Sequence, residues 1–217
     1  KTQGKFDFKW GRVEARIKTI PHIGTFPAFW MMPTDNSKGW PNNGEIDIWE
    51  TIDNGDVAYG TVHTNWTYNL NKGGNGGNMG GIDYTLWHIY SVEWNATSIT
   101  WYVDGKKMWT YNKSTDQNAL NNGQWPFDAP FYLILNQSVG NGSWARPADE
   151  SFSYETQFDW VRVYQRREHT AIDDLIADEA DSSASSASQC YYELSGRRLT
   201  SAPSNGVYIH NGEIVLK

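Results

Sequence analysis

The sequence has 217 residues, a formal net charge of -7 and a hydrophobic fraction of 39%, enough for one sizeable globular domain with chain to spare. Its acidic balance, without a Lys/Arg cluster, argues against nucleic acid as a partner. No run approaches the ~20 apolar residues that insertion into a membrane requires, and the single cysteine, Cys190, excludes an internal disulfide. The 12 Trp, 12 Tyr and 20 Gly are well above average usage. Such a content suits a β-sandwich core or a surface on which sugar rings stack. The chain opens at Lys1 without Met or a signal peptide, as a processed or trimmed product would.

Strand patterns dominate from residue 5 to about residue 165. In "GKFDFKWGRVEARIKTI", Phe6, Phe8 and Trp10, then Val13, Ala15 and Ile17, alternate with polar residues. This predicts a half-buried strand, or two, jointed at Gly11. "NLNKGGNGGNMGG" reads as a Gly/Asn loop too polar to pack. "SITWYVDGKKMWTY" predicts a hairpin turning at Asp104-Gly105, and "FYLILNQSVG" and "FDWVRVYQ" predict further strands. No amphipathic helix pattern interrupts them. The fold class is therefore all-β, a sandwich with turns at regular intervals.

After Arg167 the composition shifts. "EHTAIDDLIADEADSSASSASQ" is acidic, then Ser/Ala-rich, and predicts a linker over residues 167–189 with a short helix near Ala171 to Ala180. Residues 190–217 return to short β runs with turns at Ser195-Gly196, Asn205-Gly206 and Asn211-Gly212. They predict a small separate β unit of about three strands.

The segment "NNGEIDIWETID" concentrates three carboxylates among apolar residues. Alternation of Glu45 and Asp47 with Ile46 and Ile48 predicts a strand, because on a helix positions 45 and 47 would point roughly 200° apart. A regular strand would send Glu50 to the opposite face. A β-bulge at Ile48 and Trp49 inserts one residue and returns Glu50 to the face of Glu45 and Asp47. Three carboxylates on one face repel one another, at a cost that a structural strand has no reason to carry. Two uses fit. A retaining glycosidase needs two carboxyl groups about 5 to 5.5 Å apart, one a nucleophile and one a general acid/base. Alternatively, the oxygens would bind a hard cation such as calcium. A solvated acidic strand is the bland reading of the same residues.

"GEIDIWE" resembles the bulged active-site strand, E-x-D-x-x-E, of glycoside hydrolase family sixteen. "WGRVEARIK", "FPAFWMMP", "GWPNNGEIDIWE", "YGTVHT", "WHIYSVEW", "WYVDGKK", "PFDAPFYLILNQSVG" and "FDWVRVYQ" follow in the order and spacing of the family's laminarinase-like β-glucanases. The resemblance covers roughly residues 4 to 165. It implies a concanavalin A-like jelly roll of two curved antiparallel sheets with a glucan cleft across the concave face.

By that resemblance Glu45 is the nucleophile, Asp47 the assisting acid and Glu50 the general acid/base of a double displacement that needs no cofactor. Glu14 and Arg16 would face the cleft on the glycone side. Trp30 and Trp40 would floor the subsites, His63 would donate a hydrogen bond near the catalytic subsite and Asn136 would line the cleft, while Trp125 and Trp144 are candidates for aglycone contacts. His88 is read as a packing residue. Family members often bind a structural calcium on the convex side through an aspartate before the last strand, matched here by Asp159.

The family also carries opening strands ahead of "GKFDF". Without them sheet edges would be exposed, to be covered by the C-terminal β unit, a companion fragment or a second copy of the chain in a homodimer. The tail, with "LSGRR", "GVYI" and a terminal basic residue, resembles the C-terminal sorting signal of the type IX secretion pathway, which implies a secreted or cell-surface bacterial protein. The leading expectation is an endo-β-glucanase for β-1,3 or mixed β-1,3-1,4-glucans. A related hydrolase of agar or carrageenan would favour cleft Arg and Lys that do not stand out in the sequence. A non-catalytic glucan-binding module with an inactivated cleft is the competing class.

Overall fold

Alternating burial sets the frame. In strand β1 (Gly11–Thr19), Val13, Ala15, Ile17 and Thr19 are buried and the residues between them partly exposed, the period-two pattern of a strand with one face on a core. The computed structural model describes residues 1–165, 191–193, 198–199, 201, 207–210 and 213–216. The chain divides into two compact units, Lys1–Arg166 and Arg167–Lys217.

The first unit is an all-β sandwich. Strands β2 (Thr25–Pro33), β3 (Glu45–Glu50), β4 (Ala58–His63), β5 (Gly76–Met79) and β9 (Phe131–Val139) form one antiparallel sheet in the order β5-β4-β3-β2-β9. The other joins β1 to β6 (His88–Trp94), β7 (Ser98–Val103), β8 (Lys106–Asn112) and β10 (Thr156–Tyr164), in the order β10-β1-β6-β7-β8. Between them lies one core, with Val13, Ile17, Tyr90, Trp94 and Trp101 from the second sheet meeting Phe29, Met31, Ile46, Ile48, Trp49 and Phe131 from the first. This is the two-sheet jelly-roll class expected from the sequence. The hairpin turns at Asp104 (φ 49°) and Gly105 (φ 74°), both left-handed, as a two-residue turn between twisted strands requires.

Three local expectations are corrected. Residues 1–10 form no strand. Phe8 makes only an isolated bridge to Phe131, and the alternation breaks at Trp10 (φ 62°), so Phe6 is left exposed. The Gly/Asn loop is not wholly unpacked, since Gly76–Met79 pairs with β4 as an edge strand. Here the missing side chains are the reason. A Cβ at Gly77 would lie 2.5 Å from the Trp109 ring, so only glycine lets that backbone lie across the indole. Two single helical turns also interrupt the strands, Asn65–Asn69 and α1 (Gln117–Asn121). They are built by local caps, Thr64 accepting from the Thr67 N–H and Asp116 from the Asn118 N–H. A single turn is too short to carry a readable apolar period.

In the second unit β11 (Tyr191–Glu193), β12 (Arg198–Leu199), β13 (Val207–His210) and β14 (Glu213–Leu216) form an antiparallel sheet in the order β12-β11-β13-β14, one strand more than expected. The expected linker and its short helix lie outside the described residues. No helix among the described residues is long and apolar enough to cross a membrane.

Candidate active site

The acidic strand is built as a bulge. Asp47 pairs with Thr61 and Glu50 with Tyr59, so three steps along β3 match two along β4. On the other side Trp49 pairs with Phe29 and Asp47 with Trp30, which leaves Ile48 as the extra residue. Ile48 and Trp49 are consequently both buried in the core, beside Ile46. Glu50 returns to the outward face and lines one open cleft with Glu45. Beneath the bulge the Trp101 indole N–H donates to the Asp47 carbonyl at 2.7 Å, and Trp101 stacks on Trp109 at 4.4 Å. Gly60 on β4 lies directly over Trp101 where any Cβ would collide. The bulge is thus held from below by a tryptophan that only glycine neighbours accommodate.

Around Glu45 the donors converge. Trp40 Nε1–H donates to Glu45 Oε2 at 2.8 Å. His63 Nε2 lies 3.2 Å from Asp47 Oδ2 and 3.7 Å from Glu45 Oε1, within ion-pair reach; Asp47 Oδ2, and on the far side of the ring His63 Nδ1, are buried without a hydrogen-bond partner. Trp30, opposite Asp47 in register, donates through Nε1 to Asn136 Oδ1 at 2.7 Å, and Asn136 passes the contact to Ser138. Around Glu50 the rim is aromatic. Trp144 makes edge contacts with Phe26 at 5.2 Å and with Tyr59, the cross-strand neighbour of Glu50, at 5.3 Å.

Burial and mutual repulsion separate the three acids. Asp47, only 2% exposed, is pushed well above the usual carboxylate range by desolvation, then by the charge of Glu45 and the hydrogen bond the two share. Burial also raises Glu45, but the His63 charge, the Trp40 indole and the hydrogen bond with Asp47 all favour its ionised form. Glu50 has only the His63 charge on that side, and it is outweighed. Desolvation, and then the charges of Asp47 and Glu45, push it up to about 9. One glutamate is therefore equipped to hold a negative charge and the other to hold a proton at neutral pH.

The structure brings Glu45, Asp47, Glu50, Trp30, Trp40, His63, Asn136 and Trp144 to this face. Three expected residues are elsewhere. Glu14 and Arg16 lie on β1, in the opposite sheet, where Glu14 accepts from Arg12 at 3.0 Å and Arg16 donates to Asp159 at 2.6 Å. Their parity away from the core was readable, but not the sheet to which the strand belongs. Trp125 is a core residue, 8% exposed, stacked on Tyr111 and packed on Phe127, with its N–H on Asp128. Asp159 offers one carboxylate already paired with a guanidinium, a poor fit to the all-oxygen shell of calcium. Among the described residues the one cluster of three potential ligands is Glu45, Asp47 and His63. There the Trp40 N–H already occupies a Glu45 oxygen, which suits proton chemistry better than a cation.

Sequence reasoning missed Phe26, Tyr59 and Tyr68. Parity could have found the first two, since Phe26 shares a face with Trp30 on β2, and Tyr59 with Thr61 and His63 on β4. Tyr68 sits on the helical turn Asn65–Asn69 and meets Trp40 edge-on at 4.5 Å. No pattern announced it.

Residues 1–162 match the family model described as Glycosyl hydrolases family 16. The chain is 38% identical over 174 residues to a β-glucanase of Rhodothermus marinus, covering 76% of this chain and 60% of that protein. It is 36% identical over 167 residues to a keratan-sulfate endo-1,4-β-galactosidase of Sphingobacterium multivorum, covering 76% of this chain and 39% of that one. The chain thus spans less than two thirds of the length of these relatives. Among solved structures it is similar to the laminarinase from Rhodothermus marinus, with a TM-score of 0.67 and 36% identity over 77% of this chain and 70% of that one.

Proposed function

The chain belongs to family 16 of the glycosyl hydrolases, and from that premise we propose that it is a retaining endo-β-glucanase, cleaving β-1,3 linkages in laminarin-like or mixed-linkage β-1,3-1,4-glucans by double displacement. The observation that carries the reading is the divergence of two glutamates on one bulged strand, Glu45 supported as an anion by the Trp40 N–H and Glu50 kept protonated by burial.

In the first step Glu45 attacks the anomeric carbon while Glu50 gives its proton to the departing glycosidic oxygen. A glycosyl ester on Glu45 and a free chain end result. Glu50, now ionised, takes a proton from water, which attacks the anomeric carbon and releases Glu45. Asp47, whose carboxyl burial pushes well above the usual range, hydrogen-bonds Glu45, so the leaving carboxylate is stabilised as the ester breaks. The Trp40 N–H acts on the same carboxylate.

The keratan sulfate named for the Sphingobacterium relative is a polyanion. Here the cleft presents Glu45 and Glu50, and among the described residues lining it there is no Lys or Arg. A neutral glucan meets no repulsion there, whereas a sulfated chain would lack counter-charges. The test is release of reducing sugar from laminarin, barley β-glucan and keratan sulfate, together with trapping by a 2-fluoro-glucoside. Release from the first two and labelling of Glu45 are expected. Binding without release, a label on another residue, or preferential cleavage of keratan sulfate would overturn the reading. We further propose that residues 190–217 direct secretion, as their resemblance to a sorting signal suggests. Retention inside the cell of a product with an intact tail would count against it.

A further inference from the structure

Trp144 reaches the cleft from the connection between β9 and β10, and that connection is fastened at one place. Asp53 stands just past β3 in a left-handed turn (φ 57°). Its Oδ1 accepts the backbone N–H of Gly24 at 2.8 Å and that of Arg146 at 3.1 Å. Its Oδ2 meets Arg146 Nε at 3.2 Å, and Arg146 Nη2 donates to Asn54 Oδ1 at 2.6 Å. One carboxylate therefore ties the start of β2 to the β9–β10 connection two residues past Trp144.

The backbone is drawn in tightly. Gly140 N–H donates to the Gly24 carbonyl at 2.8 Å, and a Cβ at Gly24 would lie 2.6 Å from Ala148. Burial works against the Asp53 charge, but the N–H groups of Gly24 and Arg146 hold its carboxyl below the usual range, so the clamp is ionised at neutral pH. What it holds is an indole 44% exposed, set against Phe26 and Tyr59 beside Glu50.

We propose that Asp53 and Arg146 are positioning residues that fix Trp144 as a wall on which the glucan chain stacks, so that they govern affinity for the polymer without touching the reacting atoms. The proposal rests on the reading of the cleft as a glucan site. A pre-set aromatic wall loses little conformational freedom on binding, and releasing the clamp restores that cost. The effect belongs in KM, with kcat preserved, because both catalytic glutamates lie on β3 and the clamp begins beyond its end.

Steady-state kinetics on laminarin test this with the full chain, Arg146→Ala, Trp144→Ala and the double variant. Trp144→Ala is expected to raise KM by about 3- to 10-fold. Arg146→Ala is expected to raise it by about 2- to 5-fold with kcat within about twofold. The double variant should be no worse than Trp144→Ala alone, because both changes remove the same wall. Asp53→Asn, which keeps the oxygen for both N–H groups and loses the charge, should match Arg146→Ala with a cooperative thermal transition. Effects that multiply in the double variant, or a fall in kcat at constant KM, would overturn the proposal. An active parent with Arg146→Ala and Asp53→Asn indistinguishable from it would overturn this proposal alone, whereas a parent releasing no sugar would remove the glucanase reading and this with it.

Discussion

Two strands of the sandwich turn carboxylates away from the same core and meet opposite surroundings. On β1, Glu14 lies beside Arg12, which also reaches Glu93 at 3.0 Å, while Arg16 pairs with Asp159 at 2.6 Å over the face of Trp87. On β3, Glu45, Asp47 and Glu50 find one another, a histidine and an indole, and among the described residues no guanidinium or ammonium lines their cleft. Carboxylates on an outward sheet face are ordinary when cations accompany them. Withholding the cations, and burying the acids, turns repulsion and desolvation into displaced titrations. The acid count in the sequence is thus a weaker sign of a site than the missing counter-charge.

The contrast can be broken first by removing charges. Glu45→Gln and Glu50→Gln should each lower kcat on laminarin by about 10³-fold or more, whereas Glu14→Gln should stay within about twofold. Activity in the first two comparable to the parent would abolish the distinction between the strands.

A second route makes the site resemble the surface. Catalysis by the parent should fall on the alkaline side as Glu50 loses its proton, near about 9. Thr61→Lys would place a cation opposite Asp47 on the cleft side of β4 and should draw that limb down by about one unit in the kcat/KM profile. An unmoved limb would mean that Glu50 is not the group titrating there.

Stability sharpens the contrast with a change of sign. Folded Glu50 binds its proton more tightly than the unfolded chain, whose carboxyl titrates near 4.5, so its penalty is absent below about 4.5, grows as pH rises and levels off above about 9. Glu50→Gln removes the penalty and should stabilise the domain by about 3 kcal/mol at pH 7, with no gain at pH 4. Thermal melts at the two pH values decide it. The smallest effect is expected on the other sheet, where Arg16→Ala should cost less than about 1 kcal/mol and less still in high salt.

The bulge was legible because strand parity is arithmetic. The five-residue step from Glu45 to Glu50, with Ile48 and Trp49 both apolar, leaves one extra residue to absorb. The hairpin at Asp104-Gly105 was legible for the same local reason, a dipeptide that tolerates two left-handed residues. Tryptophans were not. Trp125 and Trp144 both follow turn-rich segments near β9, yet one fills the core against Tyr111 and Phe127 and the other stands in the cleft. An indole is apolar enough for either place, and which it takes depends on groups far away in sequence, such as the Asp53 carboxylate that fastens the Trp144 connection.

By itself, then, the sequence determined features set by neighbours along the chain: the inward and outward faces of β1 and β3, the turn at Asp104-Gly105 and the return of Glu50 to the acidic face. Only the tertiary structure decided which sheet each strand joins, and so why Glu14 and Glu45, both outward by parity, lie on opposite surfaces of the sandwich. Parity is set within a strand by the pleat, whereas sheet membership is set by hydrogen bonds between strands distant in sequence, of which a local pattern carries no trace.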